Sequence, residues 1–157
     1  MPKATKLKQI EMRGLFFDTE TTGLPKDKYK SASQGKDNWP DIVSLSWVVT
    51  EGKKIVKARS YILQPDGWTI PEDSIRIHGI TMDMAKTHGQ TLDHVLGDFI
   101  RDLRIVDVAI AHNLQFDSNV ILAATLYRCK VDHALKWPAL QFCTMEASTN
   151  LCKLPLQ

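Results

Sequence analysis

Apolar positions along the chain fall into short blocks with two different periods. Leu15-Phe16-Phe17 is a compact apolar run that stops abruptly at Asp18-Thr19-Glu20-Thr21-Thr22-Gly23, which predicts a buried strand over residues 13–17. Residues 25–40 are rich in Lys, Ser, Asp and Gly without an apolar period, the pattern of a long surface loop. Residues 42–50 and 54–63 flank a Glu51-Gly52 turn signal and read as a hairpin that extends the first strand's sheet. After Pro65-Asp66-Gly67, the segment Ile70-Pro71-Glu72-Asp73 opens a short helical turn, with Ile75, Ile77 and Ile80 as its expected anchors. Leu92, Val95, Leu96, Phe99, Ile100 and Leu103 recur at helical spacing behind a capping Thr91, and Asp93, Asp98, Arg101, Asp102 and Arg104 fall mostly on the wet side. Residues 107–111 read as a second buried strand, and residues 115–127 as a helix resting on Val120, Ile121, Ala124 and Leu126. Strand-helix alternation after a hairpin predicts an α/β domain with a mixed sheet flanked by helices. No internal repeat or linker divides residues 1–157, so the chain reads as a single domain.

Composition narrows the classes without choosing among them. With 157 residues, 43% of them hydrophobic, the chain can bury a core without disulfides or metal. A metal would therefore serve function. Cys129, Cys143 and Cys152 are odd in number and lack paired zinc spacings, which predicts reduced thiols and a cytoplasmic setting. A zinc-built structural domain using His78, His88, His94 and the cysteines fails on the same spacing. The net charge of +2 is too small to argue for nucleic acid by itself. Lys3, Lys6, Lys8 and Arg13 precede no apolar run of the signal-peptide kind, and no segment approaches the ~20 apolar residues of a membrane helix, so a soluble protein is expected. Trp39, Trp47, Trp68 and Trp137 read as core or turn packing.

The candidate chemistry sits where strands end. Asp18 and Glu20 are two residues apart in extended chain and so share a face. Like charges placed this way repel unless a divalent ion with a taste for hard oxygen, Mg²⁺ or Mn²⁺, lies between them. Residues 107–111 lead in the same way into His112-Asn113-Leu114-Gln115-Phe116-Asp117, which puts Asp117 at a helix start. Acids at such places also serve as caps and turn residues, and spacing leaves both readings open.

Phe17-Asp18-Thr19-Glu20-Thr21-Thr22-Gly23-Leu24 resembles the first motif of the DnaQ-like 3′-to-5′ exonucleases, the DEDD group that includes proofreading subunits of replicative DNA polymerases. Ala111-His112-Asn113-Leu114-Gln115-Phe116-Asp117 resembles the second motif, and Ile77-His78-Gly79-Ile80-Thr81 the segment between them. The resemblance implies a ribonuclease-H-like fold with a five-stranded mixed sheet, two divalent ions and removal of nucleotides from 3′ ends, mainly of single-stranded DNA. It gives Asp18 both ions, Glu20 the ion on the nucleophile's side and Asp117 the other. It also implies that Thr21, His78, Asn113 and Phe116 hold the last nucleotide, and that a DNA polymerase is a partner. Each of the last three has a structural rival: a turn histidine, a helix cap and a core phenylalanine. Lys26, Lys28, Lys30 and Lys36 could follow a phosphate backbone, or simply be solvated.

The family's third motif, a histidine base with a fourth carboxylate five residues later, is not found. His133 begins suggestively, but position 138 is Pro where the acid is required. Residues 143–150 resemble the stretch upstream of that motif, so the C-terminal part is expected to be missing and the chain to be a fragment. Two alternatives follow from this: a catalytically impaired nucleic-acid or polymerase-binding module of the same fold, or an RNA-directed exonuclease. His112 reads as a support for the second motif's geometry.

Overall fold

The first apolar block forms β1 (Arg13–Thr21), the central strand of a five-stranded sheet ordered β3-β2-β1-β4-β5. The computed structural model describes residues 11–152. The basic positions Lys3, Lys6 and Lys8, and residues 153–157, lie outside the described residues. β2 (Ile42–Glu51) pairs antiparallel with β1 and with β3 (Lys54–Ile62), which is the expected hairpin. β4 (Val108–Ala111) runs parallel to β1, and β5 (Leu140–Cys143) runs parallel to β4. The long crossover from β3 to β4 carries α1 (Glu72–His78), α2 (Met82–His88) and α3 (Leu92–Leu103). α4 (Leu114–Tyr127) joins β4 to β5, and α5 (Thr144–Cys152) follows. This is the mixed five-stranded sheet with flanking helices that the sequence implied.

Strand alternation divides β1 cleanly. Leu15, Phe17, Thr19 and Thr21 are buried, and the core behind them joins Leu45, Trp47 and Val49 to Val95, Leu96, Phe99, Ile100 and Leu103 of α3 and Val120, Ile121 and Ala124 of α4. Phe99 sits edge-on to Phe17 at 5.5 Å and to Trp47 at 5.4 Å between ring centres, which locks α3 onto the sheet. Thr91 caps α3 as expected, its hydroxyl accepting the His94 N–H.

The even-numbered face differs from the fully buried strand expected of residues 13–17. α3 and α4 cover the odd face, and Phe16 is 42% exposed. The register sets Phe16 against Val48 on one side and Ile110 on the other, and Ile110 against Phe142, which is 50% exposed. A row of apolar side chains therefore crosses the open face, and Asp18 and Glu20 continue along it from Phe16.

Three further readings are corrected. Asp102, expected on the wet side of α3, is buried and accepts from Trp47 Nε1 at 2.9 Å and from Lys57 Nζ. Ile77 points outward at 83% exposure, because α1 packs through Ile75 instead, and Leu126 is likewise exposed. Residues 25–40 do more than run over the surface. They bury Ala32 and Trp39 around a short 3-10 turn (Ala32–Gln34) with a Ser31/Gln34 capping box. Asn119 Oδ1 accepts the Ala32 N–H at 2.9 Å, and Arg128 donates from Nη2 to the Trp39 carbonyl while pairing with Asp41 at 2.6 Å. Two polar anchors, with the Arg128–Asp41 pair just beyond the segment, hold it against α4 and its C-terminal end where no apolar period does.

Candidate active site at the end of strand β1

β4 stops pairing with β1 at Phe16–Ile110, three residues before Thr19. The Thr19 N–H would be an unpaired buried donor there, which the protein interior tolerates poorly. Asp117, in the first turn of α4, fills the gap: its Oδ1 accepts the Thr19 N–H at 2.9 Å and the Thr19 hydroxyl at 2.7 Å. The turn from β4 into α4 is made by Asn113 in the left-handed region, φ 61° and ψ 53°, which asparagine tolerates better than most residues. The helix N-terminus suits a carboxylate in its first turn. His112 beside it is tied through Nδ1 to the Thr144 hydroxyl at 3.0 Å, so the end of β4 is held against the β5–α5 junction, the supporting place expected of it.

Asp117 is thus brought to the strand end that carries Asp18 and Glu20, from about 100 residues away along the chain. Asp18 is exposed and Glu20 half-buried on the open face, whereas Asp117 is only 3% exposed. Burial pushes all three carboxyls up. For Asp18 the His112 imidazole opposes the rise. For Glu20 the neighbouring Asp18 charge adds to it, and His78 opposes. Asp117 is pushed up to about 6, chiefly by burial, with the Thr19 hydrogen bonds working against it and the Asp18 charge adding to it. Among the described residues, none of the three forms an ion pair with lysine or arginine. As a set, their oxygens do not all lie within 4.8 Å of one another. Hard oxygen donors sharing uncompensated negative charge are what Mg²⁺ or Mn²⁺ requires.

The other sequence-derived residues divide. His78 ends α1 just before Gly79, whose φ of 76° turns the chain away. Its Nδ1 accepts the Ile80 N–H at 3.1 Å, which leaves the proton on Nε2, and Nε2 is buried without a partner. Thr21 spends its hydroxyl on the Gly23 carbonyl at 2.7 Å, leaving its backbone as the group on offer. Asn113 stands at the N-cap position of α4, as its rival reading had it, but caps through its backbone carbonyl, which accepts the Phe116 N–H at 2.9 Å, and its side chain makes no capping bond. Phe116 leans toward that rival, lying 6.0 Å from the Trp39 ring and packed against the core. Lys26, Lys28, Lys30 and Lys36 are all exposed on the long loop. Thr19 was not singled out by sequence, although its inward position between two outward acids was the available signal.

No curated protein matches the chain significantly. Among solved structures, it resembles exonuclease X in complex with 5′-overhanging duplex DNA at TM-score 0.56 and 25% identity, over 88% of this chain and 63% of that one. It resembles a product-bound exonuclease I at TM-score 0.67 and 16% identity, over 89% of this chain and 32% of that one. E. coli exonuclease I with a dT13 oligonucleotide gives TM-score 0.62 and 18% identity, over 94% of this chain and 32% of that one. The chain thus spans under two thirds of exonuclease X and about a third of exonuclease I; the exonuclease I likenesses speak for the fold. The sequence model of the RNase T exonuclease family matches residues 15–153, nearly the whole chain, and the protein belongs to that family.

Proposed function

We propose that this chain carries the catalytic portion of a metal-dependent 3′-to-5′ exonuclease that trims single-stranded DNA from its 3′ end. The observation that carries the reading is that Asp117 reaches Thr19, between Asp18 and Glu20, while none of the three carboxylates is paired with lysine or arginine among the described residues. The family match and the DNA held by the similar structures support it. Asp18, Glu20 and Asp117 are the residues that would hold divalent ions. When bound, two such ions neutralise a phosphodiester and make water a competent nucleophile near neutral pH.

The rest is done by the chain itself. The His78 Nε2 proton, buried and unpartnered, is a donor ready for an oxygen of the terminal nucleotide. The Thr21 backbone and the Asn113 side chain flank the same strand ends, and the half-buried Phe116 ring would offer its remaining exposed surface to a base. The exposed lysines of the long loop would follow the backbone of the strand. A DNA polymerase as companion rests on the motif resemblance.

A second reading has its own observation. The two imidazoles that act on these carboxylates, His112 on Asp18 and His78 on Glu20, are both already engaged through Nδ1. Among the described residues neither is paired with a fourth acid, so the fold could instead recognise a 3′ end without cutting it. A 5′-labelled oligonucleotide incubated with Mg²⁺ or Mn²⁺ separates the two. Stepwise shortening from the 3′ end that stops in EDTA and in Asp18→Ala supports the enzyme. Binding without shortening supports the module, and an Asp18→Ala variant that cuts as fast as the parent sinks the assigned site. An RNA strand of the same sequence, run in parallel, decides between DNA and RNA.

A further inference from the structure

Away from the carboxylates of β1 and α4, three different donor types meet between the first turn of α3 and the loop that follows α4. One ligand atom each from Asp93, Cys129 and His133 lies within 4.8 Å of the other two, and among the described residues this is the one such cluster. We propose that Asp93, Cys129 and His133 form a second metal site that takes a borderline-soft divalent ion of the Zn²⁺ class, separate from the Mg²⁺- or Mn²⁺-type carboxylate site.

The donor set makes the choice of ion. Thiolate, imidazole and one carboxylate suit Zn²⁺, whereas the all-oxygen set at Asp18, Glu20 and Asp117 suits harder ions. Tetrahedral Zn²⁺ with these bond lengths needs its ligand atoms roughly 3.3–3.8 Å apart. His133 Nε2 already stands 3.1 Å from Asp93 Oδ1, so closing the site takes a shift of about an ångström. The loop is held in place before any ion arrives. Asp93 Oδ1 accepts the Val131 N–H at 3.0 Å, Arg104 donates to the His133 carbonyl at 3.0 Å, and Ala134 follows in the left-handed region at φ 47°. In this state the Cys129 thiol keeps its proton, burial pushing it up to about 12 with the Asp93 charge adding to it. The ion takes the place of that proton, which passes to solvent, while the imidazole proton moves to Nδ1. Asp93 lies on the rim of two clefts, of about 520 and 380 Å³, which leave an approach for the ion and room for a water as its fourth ligand. A sequence scan misses the site, because Asp93 stands 40 residues from His133.

The test does not depend on nuclease activity. Co²⁺ is titrated into the reduced protein in excess Mg²⁺, which occupies the carboxylate site, and thiolate-to-cobalt charge-transfer absorption is recorded. The expected result is one Co²⁺ per chain with that absorption, displaced by Zn²⁺, retained in Asp18→Asn and lost in Cys129→Ser. His133→Gln should weaken Zn²⁺ at least tenfold in competition with a chromophoric chelator, and guards against a Cys129 variant that does not fold. Absence of the absorption overturns the proposal. So does its persistence in Cys129→Ser, or its loss in Cys143→Ser or Cys152→Ser, either of which would place the thiolate elsewhere.

Discussion

Replacing Asp117 by asparagine should stabilise the fold and abolish its chemistry. The carboxyl is 3% exposed and held at about 6 instead of 3.8. Below pH 3.8 the group is protonated in both the folded and the unfolded chain and contributes no difference. As pH rises toward 6 the unfolded chain gives up its proton while the folded one keeps it, so stability is lost progressively. Above about 6 the loss is complete, at ~3 kcal/mol for a carboxyl raised this far. Asparagine has the same shape. Its Oδ1 can go on accepting from both the Thr19 N–H and the Thr19 hydroxyl, and it has no charge to bury.

In EDTA at pH 8, Asp117→Asn should therefore be ~2–3 kcal/mol more stable than the parent and melt roughly 5–10 °C higher. At pH 4 the two should agree within about 1 kcal/mol. Urea denaturation followed by the fluorescence of buried Trp39 and Trp47 measures this directly, with equal slopes in denaturant as the check that one transition is being compared. Mg²⁺ should then stabilise the parent and leave the variant unmoved. If the variant is less stable at pH 8, or the gap between the two proteins is the same at pH 4 and pH 8, the carboxylate is not strained by burial and the electrostatic account of the site fails.

Thr19→Val removes one donor to that carboxylate and keeps the other; it should cost ~2 kcal/mol at pH 8, less at pH 4, and move the Asp117 titration upward in an NMR pH series. Asp102→Ala strands Trp47 Nε1 and the Lys57 ammonium and should cost ~3 kcal/mol in the same denaturation experiment, with Asp102→Asn recovering part of it through the Trp47 bond. Arg128→Met leaves the Trp39 carbonyl and Asp41 unpaired, the latter already raised by burial, and should lower stability by ~2 kcal/mol. Limited proteolysis should then cut within residues 26–38 faster than in the parent, and an unchanged cutting rate would show that Arg128 does not pin the segment.

Much of this architecture is legible because it is local. The hairpin, the amphipathic α3 with its Thr91 cap, and the outward placement of Asp18 and Glu20 follow from side-chain periods within a dozen residues. The misreadings share a cause. Asp102 looks solvated by its charge, but a buried indole N–H and a lysine from the neighbouring strands need it. Ile77 and Leu126 look buried by their apolarity, but the packing partners of α1 and α4 lie on other sides of those helices. Residues 25–40 lack a hydrophobic period because polar bonds to α4 hold them, and such bonds leave no periodic trace.

The sequence by itself determined the strand-helix order, the two acids at the end of β1 and, through its motifs, the family. Periodicity and motif spacing are written in consecutive residues, and the backbone turns them into faces without help from distant chain. Only the tertiary structure decided that Asp117 completes an unpaired β1 edge, that one face of the sheet carries an open apolar row, and that Asp93 meets Cys129 and His133. These depend on which segments touch and how much water they exclude, and neither proximity nor desolvation is a property of any short stretch of chain.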